Sequence, residues 1–114
     1  MDCIFCKIAA GEIPVNKLYE DEQAMAFSDA DPQAPVHTLI IPRQHIASLA
    51  ETGETDEEKM LLGHLHGIAN RLATKQGLGS GYRVVINVGP GGGQTVGHLH
   101  VHLIGGRKLH WPPG

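Results

Sequence analysis

The chain has 114 residues, of which 41% are hydrophobic and 18% charged, with 9 basic against 12 acidic side chains. That length suits one domain around one hydrophobic core, and the composition excludes a disordered chain. The near-balanced charge argues against a surface that grips nucleic acid, and no apolar run is long enough to cross a membrane. Neither a basic segment nor an apolar stretch before a cleavage site opens the sequence, so a cytoplasmic protein is expected.

Cys3 to Ala10 can form a short helix, stopped by Gly11 and Pro14. Pro14 to Tyr19 and Ala24 to Phe27 read as two strands around the polar turn Glu20-Asp21-Glu22-Gln23. Asp31-Pro32-Gln33-Ala34-Pro35 is a stiff loop, because each proline fixes its own φ and pushes the residue before it toward extended backbone. His37 to Ile41 follows as a β-branched strand closed by Pro42. Thr55-Asp56-Glu57-Glu58 has the capping-box pattern, with Glu58 able to reach back to the cap. Leu61, Leu65, Ile68 and Leu72 then recur at helical spacing until Gly77 offers a left-handed stop. Tyr82 to Val88 and His98 to Ile104 are the last two strands, separated by Gly89-Pro90-Gly91-Gly92-Gly93-Gln94. Five strands with one long helix predict an α+β fold. Its antiparallel sheet is covered on one face by that helix, and a short helix precedes it.

No repeat or linker divides the sequence, so residues 1–114 read as a single domain with 107–114 as a tail. The most informative segment is His98-Leu99-His100-Val101-His102-Leu103-Ile104. In a strand, alternate side chains share a face, which sends Leu99, Val101 and Leu103 to the core and lines up three imidazoles opposite. Neutral imidazole attacks electrophiles and imidazolium donates protons. The glycine loop before the strand offers backbone N–H groups that suit phosphate oxygens. The pattern alone leaves open covalent catalysis at phosphorus, a metal site and chance.

The same segment matches the His-x-His-x-His-x-x signature of the histidine-triad superfamily, with apolar residues at x. Further likeness runs through Ile4-Phe5-Cys6-Lys7-Ile8, Gly11-Glu12-Ile13-Pro14, Phe27-Ser28-Asp29, Pro32-Gln33-Ala34-Pro35-Val36-His37, Gly81-Tyr82-Arg83, Gly92-Gly93-Gln94-Thr95 and the Trp111-Pro112-Pro113-Gly114 ending. Across nearly its whole length the chain resembles the Hint branch, whose members are purine nucleoside phosphoramidases. That resemblance implies that His100 attacks the phosphorus of an adenosine or guanosine phosphoramidate. An amine is released, and water then frees the nucleoside monophosphate. It casts His102 as a phosphate and proton-transfer partner, His37 as a fourth histidine of the network and His98 as the first of the triad.

The resemblance also assigns Asp29 to the ribose hydroxyls, with Ala30 lining the nucleoside pocket. Asn87, Gly93, Gln94 and Thr95 become phosphate and leaving-group contacts, and Phe5, Ile8, Phe27 and Leu39 the apolar walls of the purine pocket. No cofactor is required for that chemistry. Some bacterial-type relatives bind zinc through a cysteine pair, a later histidine and the first triad histidine. The matching residues here are Cys3, Cys6, His45 and His98, a closed set suited to structural zinc. Hint relatives are two-fold homodimers whose tails reach the neighbouring active site, which makes Trp111 a substrate-side residue. Gly97 departs from the pattern, standing where relatives commonly have an aromatic residue. His64 and His66 read as solvated or partly packed helix residues, and His110 is uninformative. Dinucleoside polyphosphate hydrolysis, and a zinc- and nucleotide-binding regulatory module without turnover, are the rival readings.

Overall fold

The computed structural model describes residues 2–114. Helix α1 (Ile4–Ala9) leads into strands β1 (Lys17–Glu20), β2 (Ala24–Ser28) and β3 (Val36–Pro42). The long helix α2 (Asp56–Lys75) comes next, then β4 (Tyr82–Val85) and β5 (Val101–Gly105). The strands form one antiparallel sheet in the order β1-β2-β3-β5-β4, so β3 and β5 are central neighbours although α2 and β4 separate them in sequence. This is the α+β fold expected.

Both ends of α2 follow local chemistry. Thr55 accepts from the Glu58 N–H, and the Glu58 carboxylate accepts from the Thr55 N–H, which completes the capping box. At the other end Gly77 has φ +75, with its N–H donating to Thr74 O and the Leu78 N–H donating to Ala73 O. These are the paired bonds of a Schellman motif, and they satisfy carbonyls that the helix leaves free.

Period-two alternation in the strands builds two cores rather than one. Ala24, Ala26, Ile40, Leu99, Val101 and Leu103 pack beneath Leu65, Ile68, Ala69 and Leu72 of α2. Met25, Phe27, Leu39 and Ile41 point the other way and meet Cys3, Phe5 and Ile8 of α1. The sheet is therefore covered on both faces, where the sequence reading placed a helix on one. Six residues of α1 suffice because Phe5 and Ile8 carry large side chains into the second core.

Three strand ends also differ from expectation by three residues. β1 begins at Lys17 rather than Pro14, since proline has no N–H for a ladder. β4 stops at Val85 rather than Val88, and β5 starts at Val101 rather than His98. Residues 98–100 leave the ladder because their polar groups are engaged elsewhere. The Leu99 N–H donates to Ile46 O at 2.7 Å, and His98 O accepts from the His100 ring.

Gly105 shows how closely the sheet end is packed. A Cβ there would lie 2.8 Å from Cδ1 of the buried Leu78. Gly105→Ala is expected to lower stability by about 1–3 kcal/mol through overpacking, read as a fall in denaturation midpoint with an unchanged m-value.

Candidate active site and metal centre

β3 and β5 lie side by side with Leu39 opposite His102 and His37 opposite Ile104. That register puts His37 and His102 on the same face as Leu39 and within hydrogen-bond reach, His37 Nε2 to His102 Nδ1 being 2.9 Å. The ring of His100 stacks edge-on to that of His102, with centroids 4.9 Å apart, and Phe5 packs edge-on against His100 from below at 5.1 Å. The row of three imidazoles expected from alternation is present, but its members face different surroundings.

Their hydrogen-bond partners define the tautomers. His100 Nδ1 lies 2.8 Å from His98 O, a carbonyl that can only accept, so Nδ1 carries the proton and Nε2 keeps its lone pair. His37 Nδ1 accepts from the Gln33 N–H at 3.0 Å, which places the His37 proton on Nε2. That N–H then serves His102 Nδ1 at 2.9 Å and Asp29 Oδ2 at 3.3 Å. His102, accepting at Nδ1, must carry its proton on Nε2, a buried atom with no partner among the described residues. An uncharged imidazole with a nucleophilic nitrogen thus stands beside one with an unspent N–H donor. Gln33, which sets the direction of this chain through its backbone, was invisible in the sequence because its side chain takes no part.

His102 is held at about 4, below its ordinary 6.5, because burial penalises a charged ring and charges on His100 and His37 would repel it. Between those values the unfolded chain takes up a proton that the folded chain refuses, so stability falls as pH drops through that window. Melting curves recorded from neutral pH down to the lower value should show this decline. His102→Gln should flatten it.

The Asp29, His37 and His102 atoms also lie close enough together to resemble a metal site. The His37 tautomer argues against one. A metal on Nε2, with Nδ1 already accepting from Gln33, would require a ring stripped of both protons. This cluster is a hydrogen-bond chain.

The other cluster has the opposite logic. His98 Nε2 donates to Pro42 O at 2.9 Å, leaving a lone pair on Nδ1. Nδ1 faces Cys3 Sγ at 3.4 Å and Cys6 Sγ at 3.6 Å, while His45 Nδ1 lies 3.3 Å from Cys6 Sγ. A tetrahedral zinc with ordinary bond lengths would separate sulfur and nitrogen ligands by about 3.6 Å. The four ligand atoms all fall within 4.8 Å of one another. Burial, a hydrogen bond to Cys3 and repulsion from its charge push the Cys6 thiol up, which is the burden a cation would relieve. Donor set, tautomer and spacing all fit zinc. A carbonyl-held histidine is also the usual outer support of such a site. His98 itself is wholly buried, so it offers no surface to a substrate and reaches the triad through its carbonyl.

The glycine loop differs from what its composition suggests. Pro90–Gly92 forms a 3₁₀ turn in which the N–H groups of Gly92, Gly93 and Gln94 donate to Gly89 O, Pro90 O and Gly89 O. Gly93 therefore keeps no free N–H for a phosphate. The Gln94 side chain is equally engaged, accepting from the Gly89 N–H and donating to Ala47 O and Val96 O. It holds the loop to the 46–49 segment and has no donor left for an anion. Asn87 packs its amide beneath Gly93, and Thr95 is exposed. Phe5, Ile8, Phe27 and Leu39 are all buried in the second core. Asp29 stands at the rim and also accepts from the Asp31 N–H, while Ala30 beside it is exposed. Trp111 is 84% exposed and is not brought to this chain's own site. A Cβ on Gly97 would meet nothing, so that position is open space.

One polar centre was missed. Asp21 accepts from Tyr19 OH, His64 Nε2 and the N–H groups of Gln23 and Ala24, tying the β1–β2 turn to α2. Burial works against the charge, but these donors outweigh it and hold the Asp21 carboxyl well below the usual range.

With this geometry in view, the HIT domain family model matches residues 10–109. The chain belongs to the HIT family. It is 57% identical to a HIT-like protein of Synechococcus elongatus, over 99% of this chain and 97% of that one. It is 51% identical to a 14 kDa zinc-binding protein of Zea mays, over 97% of this chain and 87% of the other. The structure of a HIT family hydrolase from Legionella pneumophila superimposes with a TM-score of 0.95 at 50% identity, covering 99% of this chain and all of that one. No helix among the described residues is long and apolar enough to cross a membrane.

Proposed function

We propose that this HIT protein is a hydrolase of the Hint type, cleaving the P–N bond of purine nucleoside 5′-phosphoramidates. The observation that carries the reading is the pairing of a bare His100 Nε2 with the unspent His102 Nε2–H. In the first step His100 Nε2 bonds to phosphorus and the P–N bond breaks, the amine leaving with a proton from solvent beside the exposed Thr95. His102 donates a hydrogen bond to a phosphoryl oxygen and stabilises charge developing there. In the second step water bonds to phosphorus, the N–P bond to His100 breaks, and the water's proton returns to solvent. Asp29, with oxygens at the rim, receives the ribose hydroxyls, and Asn87 and Thr95 supply the remaining phosphate contacts. The purine lies along the wall made by Phe5, Ile8, Phe27 and Leu39.

Zinc would be held by Cys3, Cys6, His45 and His98 and would supply structure rather than chemistry, since four protein ligands leave no open position. The zinc-binding relative and the fit of the donor set support this. A cytoplasmic setting suits a site that needs two reduced thiols. A two-fold homodimer is supported by Val84 on the edge strand β4 and by Met60 and Trp111, large apolar side chains left exposed in one chain. In the dimer Trp111 would reach the neighbouring site. Sedimentation should give twice the chain mass.

Rapid quenching with an adenosine phosphoramidate, followed by intact-mass analysis, tests the chemistry. The expected result is a nucleotidyl adduct mapping to His100. Faster turnover of a dinucleoside tetraphosphate would favour the polyphosphate hydrolase instead. Gln94→Ala, by releasing the loop that carries Thr95, should lower kcat by roughly 10–100-fold and also lower the melting temperature, since three hydrogen bonds are lost.

A further inference from the structure

Charge is unevenly distributed along this chain. All 12 carboxylates lie within residues 1–58, and residues 59–114 contain Lys59, Arg71, Lys75, Arg83, Arg107 and Lys108 with no acid. Arg83, Arg107 and Lys108 line one cleft of roughly 690 Å³ at the C-terminal end of α2, with Ser80, Tyr82 and the glycines at 81 and 106. None of the three is paired with a carboxylate among the described residues.

The two guanidinium groups are nevertheless held in place. Arg83 donates to His110 O at 2.8 Å, and Arg107 donates to Lys108 O and Gln33 O, each at 3.1 Å. Carbonyl contacts orient a guanidinium without cancelling its charge, and they use fewer N–H groups than it carries. At the end of α2, Thr74 O and Ala73 O already accept from the Gly77 and Leu78 N–H groups. The acids Asp56, Glu57 and Glu58 sit in the first turn of that helix. A helix of this length puts them about 30 Å away.

We propose that this cleft binds a compact polyphosphate anion, two or three linked phosphates, either free or as the tail of a nucleotide. Oriented arginine forks with a lysine beside them match phosphate oxygens. An extended nucleic acid would overrun three clustered cations, whereas a compact anion can meet all three at once. The cleft lining includes none of the triad residues, and Arg83 stands two residues from Val85, the strand partner of His102, a step of about 7 Å along the sheet. The inference stands whether or not His100 forms an adduct.

Titration of the full chain with inorganic tripolyphosphate, followed by calorimetry and backbone amide NMR, is the test. Saturable shifts are expected at Gly81, Arg83, Gly106 and Arg107. Lys108→Glu should weaken binding about tenfold or more with melting temperature and mass unchanged, since the lysine side chain holds nothing in the fold. Arg107→Gln should weaken it similarly, and His100→Gln should leave it intact. Equal affinity for tripolyphosphate and ATP, with shifts confined to the cleft, identifies free polyphosphate as the ligand. Tighter ATP binding with added shifts at Asp29 identifies a nucleotide tail. Shifts confined to residues 87–100, sulfate binding as tightly as tripolyphosphate, or wild-type affinity in Lys108→Glu would each overturn the proposal. A change of mass in Lys108→Glu would also overturn it, marking the cleft as a subunit contact.

Discussion

His100→Gln is expected to lower phosphoramidate hydrolysis on the order of 10⁴-fold or more and to abolish the covalent adduct. Glutamine keeps a polar side chain of similar reach but has no basic nitrogen to bond to phosphorus. The fold should survive, because the ring's one hydrogen bond runs to the neighbouring backbone at His98 O and its other contacts are packing against Phe5 and His102. Single-turnover kinetics with parallel measurement of nucleoside monophosphate affinity would separate chemistry from binding. Retained affinity with lost turnover supports a nucleophile. Turnover close to wild type in this variant would show that another group attacks.

Cys6→Ser should have the largest effect on stability. Cys6 Sγ approaches both His45 and His98, so this one substitution removes side-chain contacts from α1 to two separate parts of the chain. Protein purified without chelator should contain one zinc per chain, and the variant none. Loss of a structural metal removes folding free energy directly. With a cost of about 3 kcal/mol, a small domain would melt about 10–20 °C lower. Chelation of the wild type should reproduce the shift, and added zinc should reverse it. Metal-free wild-type protein with an unaltered melting temperature would leave the four side chains as a thiol–imidazole hydrogen-bond cluster. Phe5 sits between this centre and His100, so loosening α1 should also raise amide exchange at Leu99 and His100.

Much of the architecture was legible because it follows from short-range patterns. The capping box at Thr55, the leucine stripe and Gly77 delimit α2 through contacts within a few residues. Alternation likewise separates Leu99, Val101 and Leu103 from the imidazoles, since pleat geometry needs no knowledge of a partner strand. The errors fall where a backbone group chose a distant partner. His98 and Leu99 leave the predicted strand because Ile46, more than fifty residues earlier, claims the Leu99 N–H. The glycine loop reads as a phosphate cradle by composition, yet Gln94 turns its own amide inward and joins the loop to Ala47.

The triad and the cysteine pair could be read along the chain from residue type and spacing, whereas the rim carboxylate Asp29 came only from the family resemblance. Which imidazole does what was implied by the family resemblance and not by the residues alone. His98, His100 and His102 are chemically identical in the sequence, and they diverge only when Pro42, His98 and His37 present a carbonyl, a carbonyl and an N–H to them in turn. Those partners come from β3 and from neighbouring backbone, brought into register by sheet pairing. Proton location is therefore largely a tertiary property here: long-range hydrogen bonds at His98 and His102, and a local one at His100, select the tautomer, and the tautomer decides which nitrogen can attack, which can donate and which can hold a metal.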